Sequence, residues 1–277
     1  MAYITKVTTQ QKNTERYNVF LDYGKGEEYA FSVDQDVLVK FQLKKGKELD
    51  ELDISEIQFD DEIKKAYSLA LTFLSYRMRS EKEIVAYLKK KEVAEPIIPN
   101  IINKLVTNNY VNDKEFANAY VKTQKNTTTK GPGVIKQELL EKGINHSTIE
   151  ASLEEYGQAS QVESAVKLAE KMLRQSTKIS KRQLKQKIEE MLMRKGYPRV
   201  IIQIALEEIV SNEPETEAEA EVDEEWEALE YQGRKAHNRF NNYNGREYEQ
   251  KMKQALFRKG FSLDLISKYI EKVREEE

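Results

Sequence analysis

One short helical phrase occurs three times in this 277-residue chain, and that recurrence restricts its folds more than any other feature. Residues 138–156 read ELLEKGINHSTIEASLEEY, residues 191–209 read MLMRKGYPRVIIQIALEEI, and residues 255–273 read ALFRKGFSLDLISKYIEKV. Aligned on Gly143, Gly196 and Gly260, position −8 holds Ile135, Ile188 and Met252, and position −4 holds Leu139, Leu192 and Leu256. Position +6 holds Ile149, Ile202 and Ile266, +10 holds Leu153, Leu206 and Ile270, and +13 holds Tyr156, Ile209 and Val273. The first two offsets put apolar residues on one helix face, and the last three do so on a second helix. The Gly between them stands where a helix C-cap requires a left-handed residue. Each phrase therefore predicts a helix, a glycine corner and another helix.

The same ruler finds a fourth copy upstream. With Glu92 at the Gly position, Ile84, Leu88, Ile98, Ile102 and Leu105 fill the apolar frame, although the glycine is missing and Pro96 and Pro99 alter the corner. The reference positions 92, 143, 196 and 260 lie 51, 53 and 64 residues apart, which leaves room for one more helix ahead of each phrase. The expected architecture is mainly α: an elongated array of tandem three-helix repeats behind a small N-terminal β-hairpin unit, each repeat contacting mainly its neighbours. The β unit is expected because TKVTTQ, RYNVFLDY and EYAFSV alternate polar with β-branched or aromatic residues around Gly24-Lys25-Gly26, a hairpin turn. Asp34 is an expected N-cap for a short helix. The expected divisions are a β-rich unit over 1–60, repeats over 61–111, 112–157 and 158–211, an acidic linker over 212–225, and a last repeat over 226–277.

Composition narrows the function classes. The chain has no Cys and two sequence-isolated histidines, His146 and His237. That removes disulfide scaffolds, thiolate metal sites and most histidine-based catalysis, and points to the cytosol. The N-terminal MAYITKVTTQ lacks a signal-peptide pattern and no apolar run is long enough for a membrane span. No Walker loop, dinucleotide fingerprint, H-E-x-x-H or EF-hand pattern is present, so neither cofactor nor metal is expected and the chain is not read as an enzyme. Gly131-Pro132-Gly133 reads as a loop and helix start, because Pro132 lacks an N–H for a phosphate cradle. Asp60, Asp61 and Glu62 read as acids opening a helix. His146 and His237 read as cap and surface residues, and Tyr76, Tyr87, Tyr110 and Tyr120 as mostly core or interface residues.

A net charge of −3 conceals segregation. Residues 171–187, KMLRQSTKISKRQLKQK, carry seven Lys or Arg and no acid, whereas residues 212–230 carry ten acids and no Lys or Arg. A solvated helical face explains such a basic run as well as phosphate contact does. Hydroxyls, Gln and a position across a helix–helix connection are what favour phosphate. Smaller basic clusters recur at equivalent points: Arg77 and Arg79; Lys122, Lys125 and Lys130; Arg234, Lys235 and Arg239. The expected contact surface is Lys178, Lys181, Arg182, Lys185 and Lys187, with Lys130, Lys136, Arg77 and Arg79 as weaker members. The acidic run reads as a solvated linker, with competition against a polyanion for the basic faces as its alternative role.

Three stretches resemble the RecX family of recombination regulators: RMRSEKEIVAYLKKK at 77–91, NNYVNDKEFANAYVKTQKNTTTKGPGVIKQELLEKGI at 108–144, and the later RKG corners. The resemblance is plainest over 61–211, and the β-rich N-terminus and fourth repeat look like those of its longer members. It implies a monomeric, non-enzymatic, cytoplasmic protein that binds the RecA filament in its groove on single-stranded DNA and blocks filament growth. Strand exchange, ATP hydrolysis and co-protease activity would fall in consequence. Double-stranded DNA is a further implied ligand. Two other classes remain open on the residues alone. One is a stand-alone DNA-binding protein using its repeats like helix-turn-helix units. The other is a protein-binding scaffold whose basic faces meet an acidic partner.

Overall fold

The computed structural model describes residues 1–176, 178–211, 218–243 and 245–276. The chain divides into two compact units, Met1–Phe116 with Lys142–Ile144, and Ala117–Glu141 with Asn145–Glu277.

The first unit opens with three antiparallel strands, β1 (Ala2–Thr9), β2 (Arg16–Asp22) and β3 (Glu27–Asp34). A two-residue β4 (Glu48–Leu49) completes a sheet of order β3-β2-β1-β4. Alternation buries Ala2, Ile4, Val19, Leu21, Phe31 and Val33 on one face, against Val37, Leu43 and Ile57. The β2–β3 turn is closed by Asp22, whose Oδ1 accepts from the N–H groups of Gly24 and Gly26. Asp34 caps the short helix α1 (Gln35–Lys40), as its sequence position predicts.

Next comes α2 (Glu51–Ser75), a single 25-residue helix that starts at an Asp50/Asp53 capping box. It runs straight through position 60, where the sequence suggested a division. Asp60, Asp61 and Glu62 thus lie in mid-helix and do not open it. Asp61 is 2% exposed, 2.9 Å from Arg16 and 2.8 Å from Lys65, and accepts the Asp34 N–H at 2.8 Å. Burial alone would raise its carboxyl, but these three donors together hold it below the usual range. Helices α3 (Glu81–Lys90) and α4 (Ile98–Thr107) pack on α2 through Ala66, Tyr67, Ala70, Ile84, Leu88, Ile98, Ile101 and Leu105. Pro99 sits in the first turn of α4, where its missing N–H would have had no helical partner.

Nine further helices follow among the described residues. They are α5 (Asp113–Thr127), α6 (Pro132–Glu141), α7 (His146–Leu153), α8 (Gln158–Gln175), α9 (Lys181–Arg194), α10 (Arg199–Ser211), α11 (Ala218–Phe240), α12 (Gly245–Arg258) and α13 (Leu263–Glu276). With α2–α4 they make four helix triplets. The apolar frame at −8, −4 and +6 is buried in all four copies, and Gly143, Gly196 and Gly260 adopt φ of 87°, 84° and 87°. Glu92 holds the same left-handed region at φ 60° without being glycine.

Several expectations are corrected. Residues 212–217 of the expected acidic linker lie outside the described residues, but from Ala218 the backbone is helical, so 218–225 open α11. Acids at a helix N-terminus are favoured by its dipole, and Ala228 and Leu229 anchor the helix against α12 and α13. His237 is part-buried, its Nδ1 2.9 Å from the Tyr248 hydroxyl, and is not a surface residue. Tyr76 and Tyr110 are exposed, because they fall at or beyond helix ends where no neighbouring helix covers them.

Candidate nucleic-acid interface

The expected basic residues divide by whether their charge is already neutralised inside the fold. Arg77 donates to Glu83 at 2.9 Å, and Lys142 reaches the same carboxylate at 3.1 Å. Burial pushes Glu83 upward, yet the bonds from Arg77, Lys142 and the Ser80 N–H keep it below its ordinary value. Arg79 lies over Phe73, 4.1 Å from the ring centroid, and Phe73 stacks on Tyr87 at 4.0 Å. Lys130 is 2.5 Å from Glu138, which also accepts from the Tyr120 hydroxyl. Lys136 pairs with Glu150. These four weaker candidates are occupied by packing or ion pairs, which leaves less of their charge for a ligand.

The third repeat differs. Lys178, Lys181, Arg182, Lys185 and Lys187 are all exposed. Among the described residues no carboxylate lies within ion-pair distance of Lys178, Arg182, Lys185 or Lys187. Arg182 and Lys185 lie about 60° apart around α9, whereas Lys187 is about 160° from Lys185, across the buried stripe of Leu184 and Ile188. The structure therefore groups Lys178, Lys181, Arg182 and Lys185 at the start of α9 and puts Lys187 on another flank.

That grouping runs against helix stability. The first turn of α9 contains no acid, and its cations stand at the positive end of the helix dipole. Positive side chains added to a helix N-terminus raise the local potential that an anion would meet. A local arrangement disfavoured by the helix itself is the pattern expected of a functional surface.

Sequence reasoning missed two participants. Tyr231 on α11 is 37% exposed, with the Lys178 ammonium 4.9 Å and the Lys235 ammonium 4.3 Å from its ring centroid. Buried Gln232 donates to the Lys178 carbonyl at 2.6 Å and accepts from Lys259. The available signal was the spacing of Tyr231 and Lys235, one turn apart on a helix. The fold alone brings α11 to the α8–α9 connection.

A model of the RecX regulatory protein N-terminal domain matches residues 2–50. The RecX first three-helix domain matches 66–105, the second matches 112–153, and the third matches twice, at 159–206 and 223–270. "Regulatory protein RecX" of Geobacillus sp. (strain WCH70) is 51% identical over 275 residues, 99% of this chain and 98% of that protein. The protein of the same name from Bacillus cytotoxicus is 47% identical over 276 residues, the whole of both chains. A crystal structure of regulatory protein RecX covers 75% of this chain and all of its own, with TM-score 0.67 and 38% identity. That of RecX from Lactobacillus salivarius covers 54% of this chain and 97% of its own, with TM-score 0.52 and 40% identity.

Proposed function

The chain belongs to the RecX family of regulatory proteins, and on that premise we propose that it is a negative regulator of the RecA recombinase. It binds the groove of the RecA–single-stranded DNA filament and blocks filament extension, so that strand exchange, ATP hydrolysis and co-protease activity fall. The observation that supports this reading is the group Lys178, Arg182 and Lys185 at the start of α9, cations with no carboxylate partner among the described residues, beside an exposed tyrosine. A filament carrying DNA offers phosphates to such a surface, and contacts spread over several repeats gain through effective concentration.

No catalytic step is assigned to any residue. The protein acts by occupancy, and its repeats supply positions from which charged side chains reach out. The test is the single-strand-dependent ATP hydrolysis of RecA, with this protein titrated in well below one copy per RecA. A fall at that ratio is expected of a protein that caps or clogs filaments. Unchanged hydrolysis, together with salt-dependent binding to bare DNA, would replace this reading with a stand-alone DNA-binding protein.

A further inference from the structure

We propose that Lys178, Tyr231, Lys235 and Lys259 form one built site for the backbone of a single-stranded polynucleotide, phosphates on the ammonium groups and a base against the tyrosine. The site deepens the filament reading and rests on it for its biological setting, but its chemistry is separately testable.

Three elements contribute to it. The α8–α9 connection supplies Lys178, α11 supplies Tyr231 and Lys235, and the α12–α13 corner supplies Lys259. The Tyr231 ring gathers two ammonium groups, with Nζ of Lys178 and Lys235 at 4.9 Å and 4.3 Å from its centroid. Gln232, 8% exposed, ties the third: its Oε1 accepts from Lys259 Nζ, while its Nε2 donates to the Lys178 carbonyl at 2.6 Å. Ser180, fully buried, donates to the Lys259 carbonyl and fixes that corner. The backbone at both lysines is thus held by buried polar side chains, and little further ordering is needed to bind an anion.

Among the described residues no carboxylate pairs with Lys178, Lys235 or Lys259, although the nearby Glu230 is taken up by Lys272, Arg234 and the Trp226 N–H. Consistent with that field, Lys235 foremost, with Lys178 and Lys259 adding to it, pulls the Tyr231 phenol below its ordinary value. Two ammonium groups on one exposed ring, with a third held by the neighbouring Gln232, suit a ligand with both phosphates and a π-face. An acidic polypeptide would satisfy the ammonium groups but leave the ring without a counterpart, which favours the nucleic-acid strand.

The experiment titrates the full chain against a dye-labelled oligothymidylate at several salt concentrations. It compares the wild type with a Lys235→Gln/Lys259→Gln double variant and with Tyr231→Leu, each checked for an unchanged circular dichroism melt. The double variant should weaken binding at least tenfold and reduce the slope of log K against log salt by about 1.4, that is about 0.7 for each of two phosphates. Tyr231→Leu should lower affinity about fivefold or more with the slope unchanged. Wild-type affinity and slope in the double variant would overturn the proposal, as would polyglutamate competing as well as unlabelled oligonucleotide. RecA hydrolysis measured in parallel separates the two readings. Inhibition by the wild type with no change in the oligonucleotide series overturns the site alone; the predicted oligonucleotide series with no inhibition overturns the filament reading alone.

Discussion

The hydroxyl of Ser180, at the start of α9, donates its hydrogen bond to the carbonyl of Lys259, 79 residues further on at the α12–α13 corner. Ser80, at the start of α3, does the same to the carbonyl of Lys142 at 2.7 Å. Between them, the start of α6 uses its backbone: Gly131 N–H donates to Lys195 O at 2.7 Å and Gly133 N–H to Gly196 O at 2.9 Å. Each Lys-Gly corner is therefore received by the first turn of the preceding repeat's middle helix. At α3 and α9 the cap hydroxyl, and at α6 the free N–H groups of the helix start, donate to carbonyls that the corner leaves free.

Ser80→Ala should destabilise the first unit by about 2 kcal/mol. The side chain caps α3 through the Glu83 N–H and also satisfies the Lys142 carbonyl, so its loss strands groups on both sides. Urea denaturation of the two proteins measures the difference; a cost near zero would mean that water replaces both bonds.

The corners should respond oppositely to exchange at their left-handed residue. A Cβ on Gly196 would lie 2.5 Å from the Val134 backbone nitrogen at a φ of 84°, so Gly196→Ala should cost about 3 kcal/mol. Glu92 is exposed at φ 60°, with no earlier helix triplet to receive its corner, so Glu92→Gly should be neutral or stabilising by about 1 kcal/mol. Thermal melts of the two variants decide it, and a loss of equal size in both would refute the docking explanation.

Asp61 predicts a pH dependence for the first unit. Its folded carboxyl is depressed, so the stabilisation is present above the unfolded value of about 4 and is lost as pH falls through the lower folded value. Asp61→Asn should cost about 3 kcal/mol at neutral pH by leaving Arg16 without its counter-charge, and progressively less below about pH 4. A cost independent of pH, read from denaturation at both ends of the range, would show that Asp61 contributes through packing.

Charge reversal should separate the strong from the weak basic candidates. A Lys178→Glu/Arg182→Glu/Lys185→Glu variant is expected to lose most of its inhibition of RecA hydrolysis. Lys136→Glu should change inhibition little, since that charge already faces Glu150. Equal effects from the two would show that the cluster at α9 has no special role.

The repeat frame was readable because it rests on local periodicity. Ile84, Ile135, Ile188 and Met252 at one offset, and Leu88, Leu139, Leu192 and Leu256 four residues on, specify a buried helix face whatever lies beyond it. Asp34 as a cap and Gly24-Lys25-Gly26 as a turn are likewise decided within a few residues. Asp60-Asp61-Glu62 was misread for the complementary reason. The partner Arg16 lies 45 residues from Asp61, on β2, and no local pattern announces a buried charge pair.

By itself, then, the sequence determined four helical phrases, the left-handed corners at Gly143, Gly196 and Gly260 and a β-rich beginning, because helix periodicity and backbone sterics act over a few residues. Tertiary structure alone decided why three corners are glycine and the first is not: Gly143, Gly196 and Gly260 each press on the preceding repeat, whereas Glu92 is exposed and has no preceding repeat to press on. It also decided which cations are available. Lys130 and Lys178 are alike as residue types, yet one faces Glu138 and the other faces Tyr231 and no carboxylate among the described residues. Charge is set by residue type, but neutralisation depends on which segments of the chain meet in space.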